Sequence, residues 1–365
     1  MLKLKNFSLR NFDWYLFVAV LFLIIIGLAS IYSVDLSKQE GLVFFRKQLI
    51  AACLGLIFII GASFSRYNLW INLSKWWYGL SLFLLGAVLV FGQTIRGTRG
   101  WFSLGGFSFQ PVELAKAGLI LILAYIISRF GRRFERPLFF YGTGLISFVS
   151  IFLVLLQPDL GSAFLLGWIW FALMILVGAK RLHILTTVLL IILVALFAWF
   201  FLLKDYQKER LQNFVNTERD PLGTGYNLNQ SIIAIGAGGL FGRGLGFGSQ
   251  SQLHFLPEAQ TDFIFAVIGE ELGFVGALTL LILFGIIFWR LALLSAKAND
   301  DFIGITAAGV LTLFFVQFVT NIGANIGLLP ITGVTLPFVS YGGSSLLINM
   351  VLIGILESMV GNTKT

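Results

Sequence analysis

Cysteine, histidine and charge are scarce in this chain, and each shortage closes off a class of chemistry. Cys53 is the only cysteine, so no intrachain disulfide and no thiolate metal site can form. His183 and His254 are the only histidines and stand far apart, which leaves no His/Cys zinc cluster. Charged residues make up only 12% of the chain. The Gly-rich run Gly236–Ser249 contains neither G-x-G-x-x-G nor G-x-x-x-x-G-K-[ST], so it carries no nucleotide-binding signature. No internal repeat and no inverted symmetry is evident. What fills the space is apolar: 58% of residues are hydrophobic and the mean hydropathy is +0.92.

Runs of about 20 apolar residues mark membrane spans. Ten are expected, at roughly 14–34, 47–64, 76–93, 111–129, 138–156, 160–178, 183–203, 262–289, 301–321 and 341–360. Lipid offers backbone groups no hydrogen-bond partner, so each span must be helical, and the alternation of a β-barrel is missing. The expected fold is an all-α polytopic membrane protein, residues 1–365 as one integral domain, with one large loop at 204–261. The basic N-terminal stretch precedes an apolar run too long for a signal peptide and without an A-x-A site, so it reads as the first span.

Lys and Arg placement predicts orientation. With the N-terminus inside, inner segments carry Arg66, Lys75, Arg129, Arg132, Arg133, Arg136, Lys180, Arg181, Arg290 and Lys297. Short outer loops carry only Lys38, Arg46, Lys47, Arg96 and Arg99. Both termini are therefore expected in the cytoplasm and the 204–261 loop outside. The net charge of +8 reflects this bias and contact with the anionic lipid bilayer, not nucleic-acid binding.

Against that background a few polar clusters stand out. Asp262 follows Thr261, a good N-cap residue, so it is expected in the first turn of the eighth span. Ala266 and Gly269 follow on its face and permit close packing. A charge at membrane depth is costly and marks a functional candidate, although an acid at a helix start can also simply complement the dipole. Glu258 lies four residues earlier, near enough to add a like charge or share a divalent cation. Glu113 and Lys116 share a face of the fourth span at i,i+3, as an internal ion pair, a substrate contact, or both. Asp159, in Gln157-Pro158-Asp159, is expected to cap the sixth span. Glu270 and Glu271 sit deeper in the eighth and need partners. Arg243, in the glycine run, either meets an anion or belongs to a flexible turn. Any bound cation must be a hard, oxygen-liganded one such as Mg or Mn, held partly by substrate phosphates.

Several longer motifs occur in one order: Arg99-Gly100-Trp101; Phe109-Gln110-Pro111-Val112-Glu113-Leu114-Ala115-Lys116; Gln157-Pro158-Asp159-Leu160-Gly161; Leu256-Pro257-Glu258-Ala259-Gln260-Thr261-Asp262-Phe263; and Leu336-Pro337-Phe338-Val339-Ser340-Tyr341-Gly342-Gly343. Together they resemble the SEDS family (shape, elongation, division and sporulation) across nearly the whole chain. The segments 220–226 and 248–253 are more similar to its RodA branch. Gln260 stands where the family commonly has His, and Gly100 and Val112 replace the usual Arg and Ser.

The resemblance implies a peptidoglycan glycosyltransferase that polymerises lipid II and releases undecaprenyl diphosphate during elongation. It implies Asp262 as the base, with Arg99, Trp101, Gln110, Glu113, Lys116, Glu258, Arg210, Arg243 and Ser340 around the substrate and Glu258 with Asp262 as candidate metal ligands. Trp101 suits stacking on a sugar or prenyl chain, or an interfacial aromatic belt. The expected partners are a class B penicillin-binding protein transpeptidase and other elongation-complex membrane proteins. The alternatives are a lipid II flippase, an FtsW-type division polymerase, and a non-catalytic scaffold.

Overall fold

The computed structural model describes residues 12–37, 41–95, 97–104, 107–130, 136–201, 208 and 224–360. Ten helices among them are long and apolar enough to cross a membrane: α1 (Trp14–Leu36), α2 (Val43–Ser63), α3 (Tyr67–Phe91), α4 (Pro111–Phe130), α5 (Pro137–Leu155), α6 (Leu160–Val177), α7 (Arg181–Phe201), α10 (Ile264–Lys297), α11 (Asp301–Asn325) and α12 (Gly343–Val360). All ten expected spans are present. The largest boundary difference is α3, which opens at Tyr67 and not near 76. Its first three turns hold Tyr67, Trp70 and Lys75, and such amphipathic residues prolong a helix into the membrane interface without raising its hydropathy.

α4 and α12 are the most enclosed spans, whereas α7 buries only 6% of its apolar window and otherwise presents side chains outward. At one end of the bundle Asp13 caps α1, accepting from the Leu16 N–H at 3.1 Å. Its carboxylate also takes the Arg290 Nε–H of α10 at 2.7 Å, and its own N–H donates to Glu357 of α12 at 3.0 Å. Three helices are thus tied at that end.

At the opposite end the chain departs from all-helix. Residues 93–109 form a small antiparallel sheet, β1 (Gln93–Ile95), β2 (Thr98–Leu104) and β3 (Phe107–Phe109), in the order β1-β2-β3. Gln93 faces Trp101 and Phe102 faces Phe109. Thr, Ile, Trp and Phe favour a pleated surface, and Gly97 supplies the left-handed turn residue (φ 81°) between β1 and β2.

α10 is two helices in series. Gly273 has φ 66° and ψ −162°, which breaks the helical ladder. The Phe274 and Val275 N–H groups donate instead to Gly239 and Leu240 carbonyls, at 2.9 and 3.1 Å. The freed carbonyls of Glu270 and Glu271 accept from the N–H groups of Arg243 and Gly244, at 3.0 and 2.9 Å. The glycine run is therefore a splint across a broken helix, not a flexible turn. A Cβ on Gly242 would lie 2.2 Å from the Glu271 carbonyl oxygen, and one on Gly273 2.2 Å from the Gly242 nitrogen. The helix after Gly273 is about 36 Å long, enough for a hydrocarbon core of about 30 Å. The half before it is not needed to cross, and its residues 264–271 are buried inside protein. Two short helices of the long loop, α8 (Thr224–Ala237) and α9 (Ser249–Gln252), pack over this half-helix.

Candidate functional site

Asp262 lies in a turn that ends just before α10, whose N-cap is Phe263. The expectation of Thr261 as N-cap and Asp262 in the first helical turn is thus corrected. Thr261 Oγ1 turns back to Glu258, donating to its carbonyl at 3.2 Å and meeting Oε2 at 3.3 Å. Glu258 takes a left-handed conformation, φ 55°, which costs a non-glycine residue on the order of 1–3 kcal/mol and persists only where surroundings enforce it.

Those surroundings are visible in three consecutive carbonyls. Gln260 O accepts from the Tyr341 N–H at 2.8 Å. Thr261 O accepts from Ser340 Oγ at 2.7 Å. Asp262 O accepts from Asn321 Nδ2 at 3.1 Å and Asn325 Nδ2 at 2.8 Å. Beneath the turn, Leu256, Ala259 and Phe263 close an apolar cluster with Val34 of α1, Ala234 of α8, and Ala266 and Val267 of α10. The backbone is held from two sides and from below, and Asp262 itself is half-buried.

Asn321 and Asn325 escaped the sequence reading, as did Gln48. Asn325 is fully buried, and its Oδ1 also accepts from the Ala266 N–H at 3.2 Å. Gln48 of α2 holds the 335–342 loop through the Ser340 carbonyl and the Gly342 N–H, both at 3.1 Å. Phe338 in that loop is also left-handed, φ 65°, and packs edge-on against Phe314 at 5.1 Å between centroids. The available signal was a pair of carboxamides at i,i+4 inside an otherwise apolar span, a placement that demands hydrogen-bond partners.

The other candidates fall into distinct places. Ser340 is buried, and its hydroxyl is occupied by the Thr261 carbonyl and the Leu336 N–H (2.9 Å). It positions the turn and offers nothing to a substrate as placed. Glu113 and Lys116 are sealed in the bundle, 5% and 2% exposed, with Nζ 2.7 Å from Oε2. This is an internal ion pair. Gln110 is half-buried at the start of α4 and accepts the Glu113 N–H at 3.2 Å through its carbonyl. Arg99 is exposed and donates to the Val90 and Gly92 carbonyls, at 2.8 and 3.1 Å, closing the C-terminus of α3. Trp101 is half-buried on β2. Arg243 is exposed, donating to Ser249 Oγ at 2.8 Å and the Ala237 carbonyl at 3.3 Å. Arg210 lies outside the described residues.

Asp159 caps α6 as expected, accepting from the Ser162 N–H at 2.9 Å and hydroxyl at 2.7 Å. The partners that Glu270 and Glu271 required are now named. Glu270 accepts from the N–H groups of Gln250 and Ser251, at 2.9 and 3.2 Å. Glu271 accepts from Ser33 Oγ of α1 and from Ser251 Oγ. Among the described residues no three His, Cys, Asp or Glu converge to hold a metal. Glu258 Oε2 is already shared with Thr261 and with Gln260 at 3.5 Å.

Ten spans, one of them broken, and a carboxylate on a rigid turn at one end define a multi-pass membrane protein with a polar site at a bundle end. Residues 10–365 match the family of FtsW, RodA and SpoVE, described as cell cycle proteins. The chain belongs to that family. It is 35% identical over 356 residues to stage V sporulation protein E of Bacillus subtilis, covering 94% of this chain and 95% of that protein. It is 42% identical over 290 residues to peptidoglycan glycosyltransferase MrdB of Escherichia coli K12, covering 79% and 77%. Among solved structures, a chain of a peptidoglycan synthase complex that coordinates polymerization and crosslinking matches with a TM-score of 0.82 at 32% identity, covering 96% and 98%. Rod shape determining protein RodA of Thermus thermophilus matches with a TM-score of 0.71 at 30% identity, covering 99% and 100%.

Proposed function

We propose that this protein is a peptidoglycan glycosyltransferase that polymerises lipid II, with Asp262 as its general base. The observation that carries the reading is the Asp262 turn. Its three carbonyls are fixed by Tyr341, Ser340, Asn321 and Asn325, while the Asp262 side chain is half-buried at the bundle end. A base must be held within hydrogen-bond reach of the proton it takes, and a site built on a rigid element holds its geometry best.

The acceptor's 4-hydroxyl oxygen attacks the anomeric carbon of the donor MurNAc as the bond from that carbon to the diphosphate oxygen breaks. The hydroxyl proton passes to the Asp262 carboxylate, and the electron pair leaves with undecaprenyl diphosphate. One displacement turns the α-linked donor into a β-linkage, so no covalent carboxylate intermediate is required. Arg99 and Arg243 are the exposed cations suited to the leaving diphosphate. Each has five N–H donors and commits two nitrogens to the hydrogen bonds above. Glu113 and Lys116, buried and paired with each other within α4, act at one remove through the stability of the bundle.

Lys and Arg placement favours an orientation in the bacterial cytoplasmic membrane with the Asp262 end outside and both termini inside. The segments 220–226 and 248–253 and the likeness to MrdB favour elongation. The synthase complex among the similar structures favours a class B penicillin-binding protein as partner.

Polymerisation of labelled lipid II by the purified protein, with and without that transpeptidase, tests the assignment. Asp262→Asn is expected to lower the rate by about 10²–10⁴-fold, the usual worth of a general base, with an unchanged unfolding temperature. Glycan strands formed at the wild-type rate refute the base. Transbilayer movement of lipid II without polymer identifies a flippase instead.

A further inference from the structure

At the end of the bundle away from Asp262, two adjoining cavities of about 850 and 450 Å³ share Lys75, Tyr125 and Arg129. We infer that they form a binding site for an anionic phospholipid of the cytoplasmic leaflet, its phosphate between Lys75 and Arg129 and an acyl chain in the slot between α3, α4 and α5. This goes beyond glycosyl transfer and does not depend on it; only the naming of the leaflet uses the proposed orientation.

The charge balance comes first. Lys75 and Arg129 are both exposed, and neither makes an ion pair with a carboxylate among the described residues. Lys75 Nζ lies 5.0 Å and Arg129 Cζ 5.5 Å from the centre of the Tyr125 ring, and Arg129 also donates to the Tyr125 hydroxyl. One aromatic ring thus gathers two like charges that would otherwise separate. Lys75 is about 12 Å along α3 from Tyr67, in the interfacial stretch of the helix where a cation can meet an anionic headgroup. Among the described residues, the one carboxylate in the cavity lining is Asp300, which accepts the Phe302 N–H at 2.8 Å as the cap of α11. Two cations against one committed carboxylate leave the site short of negative charge.

Shape selects the source of that charge. Beyond the cations, the larger cavity runs along Ile122, Ile126 and Ile146. A free phosphate has no use for an apolar slot, whereas a phospholipid fills both parts, and basic pockets between spans on this side suit anionic headgroups.

The test uses the full-length protein in phosphatidylcholine nanodiscs titrated with phosphatidylglycerol, read by retained lipid in native mass spectrometry and by unfolding temperature. Wild type is expected to retain phosphatidylglycerol preferentially and to gain thermal stability from it. Lys75→Gln with Arg129→Gln should weaken that preference by about 25-fold, from about fivefold for each cation near an anionic headgroup. An unchanged preference in the double variant overturns the site. Equal stabilisation by inorganic phosphate overturns the lipid assignment. Should the double variant not fold, Asp300→Asn carries the test: asparagine keeps the cap but removes the opposing charge, so the preference must rise, and no rise refutes the proposal. Asp262→Asn should leave the lipid preference intact, so this inference and the polymerase reading fail separately.

Discussion

Removing the Asn325 carboxamide, as in Asn325→Ala, isolates how the Asp262 turn is held. Asn325 is fully buried. Its Nδ2 donates to Asp262 O at 2.8 Å and Asn321 O at 2.9 Å, and its Oδ1 accepts the Ala266 N–H at 3.2 Å. Alanine removes all three bonds, while Asp262 O keeps its bond from Asn321 and the Ala266 N–H keeps the Phe263 carbonyl at 3.0 Å. A buried hydrogen bond contributes about 0.5–1.5 kcal/mol net, so losing three should lower stability by about 2–4 kcal/mol. The turn that loses its nearer anchor carries the proposed base, and a displacement of about 1 Å at a reacting group costs on the order of 100-fold in rate. The assay is thermal unfolding in detergent together with lipid II polymerisation measured well below the new midpoint. Asn325→Ala should lower both, whereas Asp262→Asn lowers only the rate. Wild-type stability with wild-type turnover in Asn325→Ala refutes the view that α11 positions the turn.

Two further outcomes follow from groups away from the turn. Glu113→Gln leaves Lys116 buried without its counter-charge, which should cost about 3–5 kcal/mol, while the apolar double replacement Glu113→Leu with Lys116→Met should recover most of that loss; denaturant or thermal unfolding checks both, and a Glu113→Gln protein as stable as wild type removes the ion pair from the argument. Gly242→Ala places a methyl 2.2 Å from the Glu271 carbonyl at a left-handed residue, so the splint must open and the unfolding temperature must fall; increased proteolysis within 236–249 is the second readout, and unchanged cleavage with an unchanged midpoint would deny that the run clamps the broken helix.

Hydropathy alone located the ten spans, because in lipid the backbone's need for internal hydrogen bonds makes a long apolar run helical whatever surrounds it. The Asp159 cap was equally local, a matter of one carboxylate and an N–H three residues away. The break in α10 was not local. A single glycine inside an apolar run is ordinary, and it is the carbonyls and amides of Gly239, Leu240, Arg243 and Gly244 that make the non-helical Gly273 affordable. The sheet at 93–109 was hidden by its shortness, since two of its three strands have only three residues and leave no periodicity to count.

The residues thus marked Asp262 as a candidate acid, because a carboxylate at the start of a long apolar run stands out by composition. They could not supply its setting. Ser340, Asn321 and Asn325 reach the Asp262 turn from 59 to 79 positions away, and hydrogen bonds at that separation exist only once α11 and the 335–342 loop have packed against α10. The same holds for Glu113, whose i,i+3 partner was evident in the primary structure but whose enclosure depended on neighbouring helices closing over it. Burial and long-range pairing are properties of the assembled bundle, since they depend on what other parts of the chain exclude water from a site.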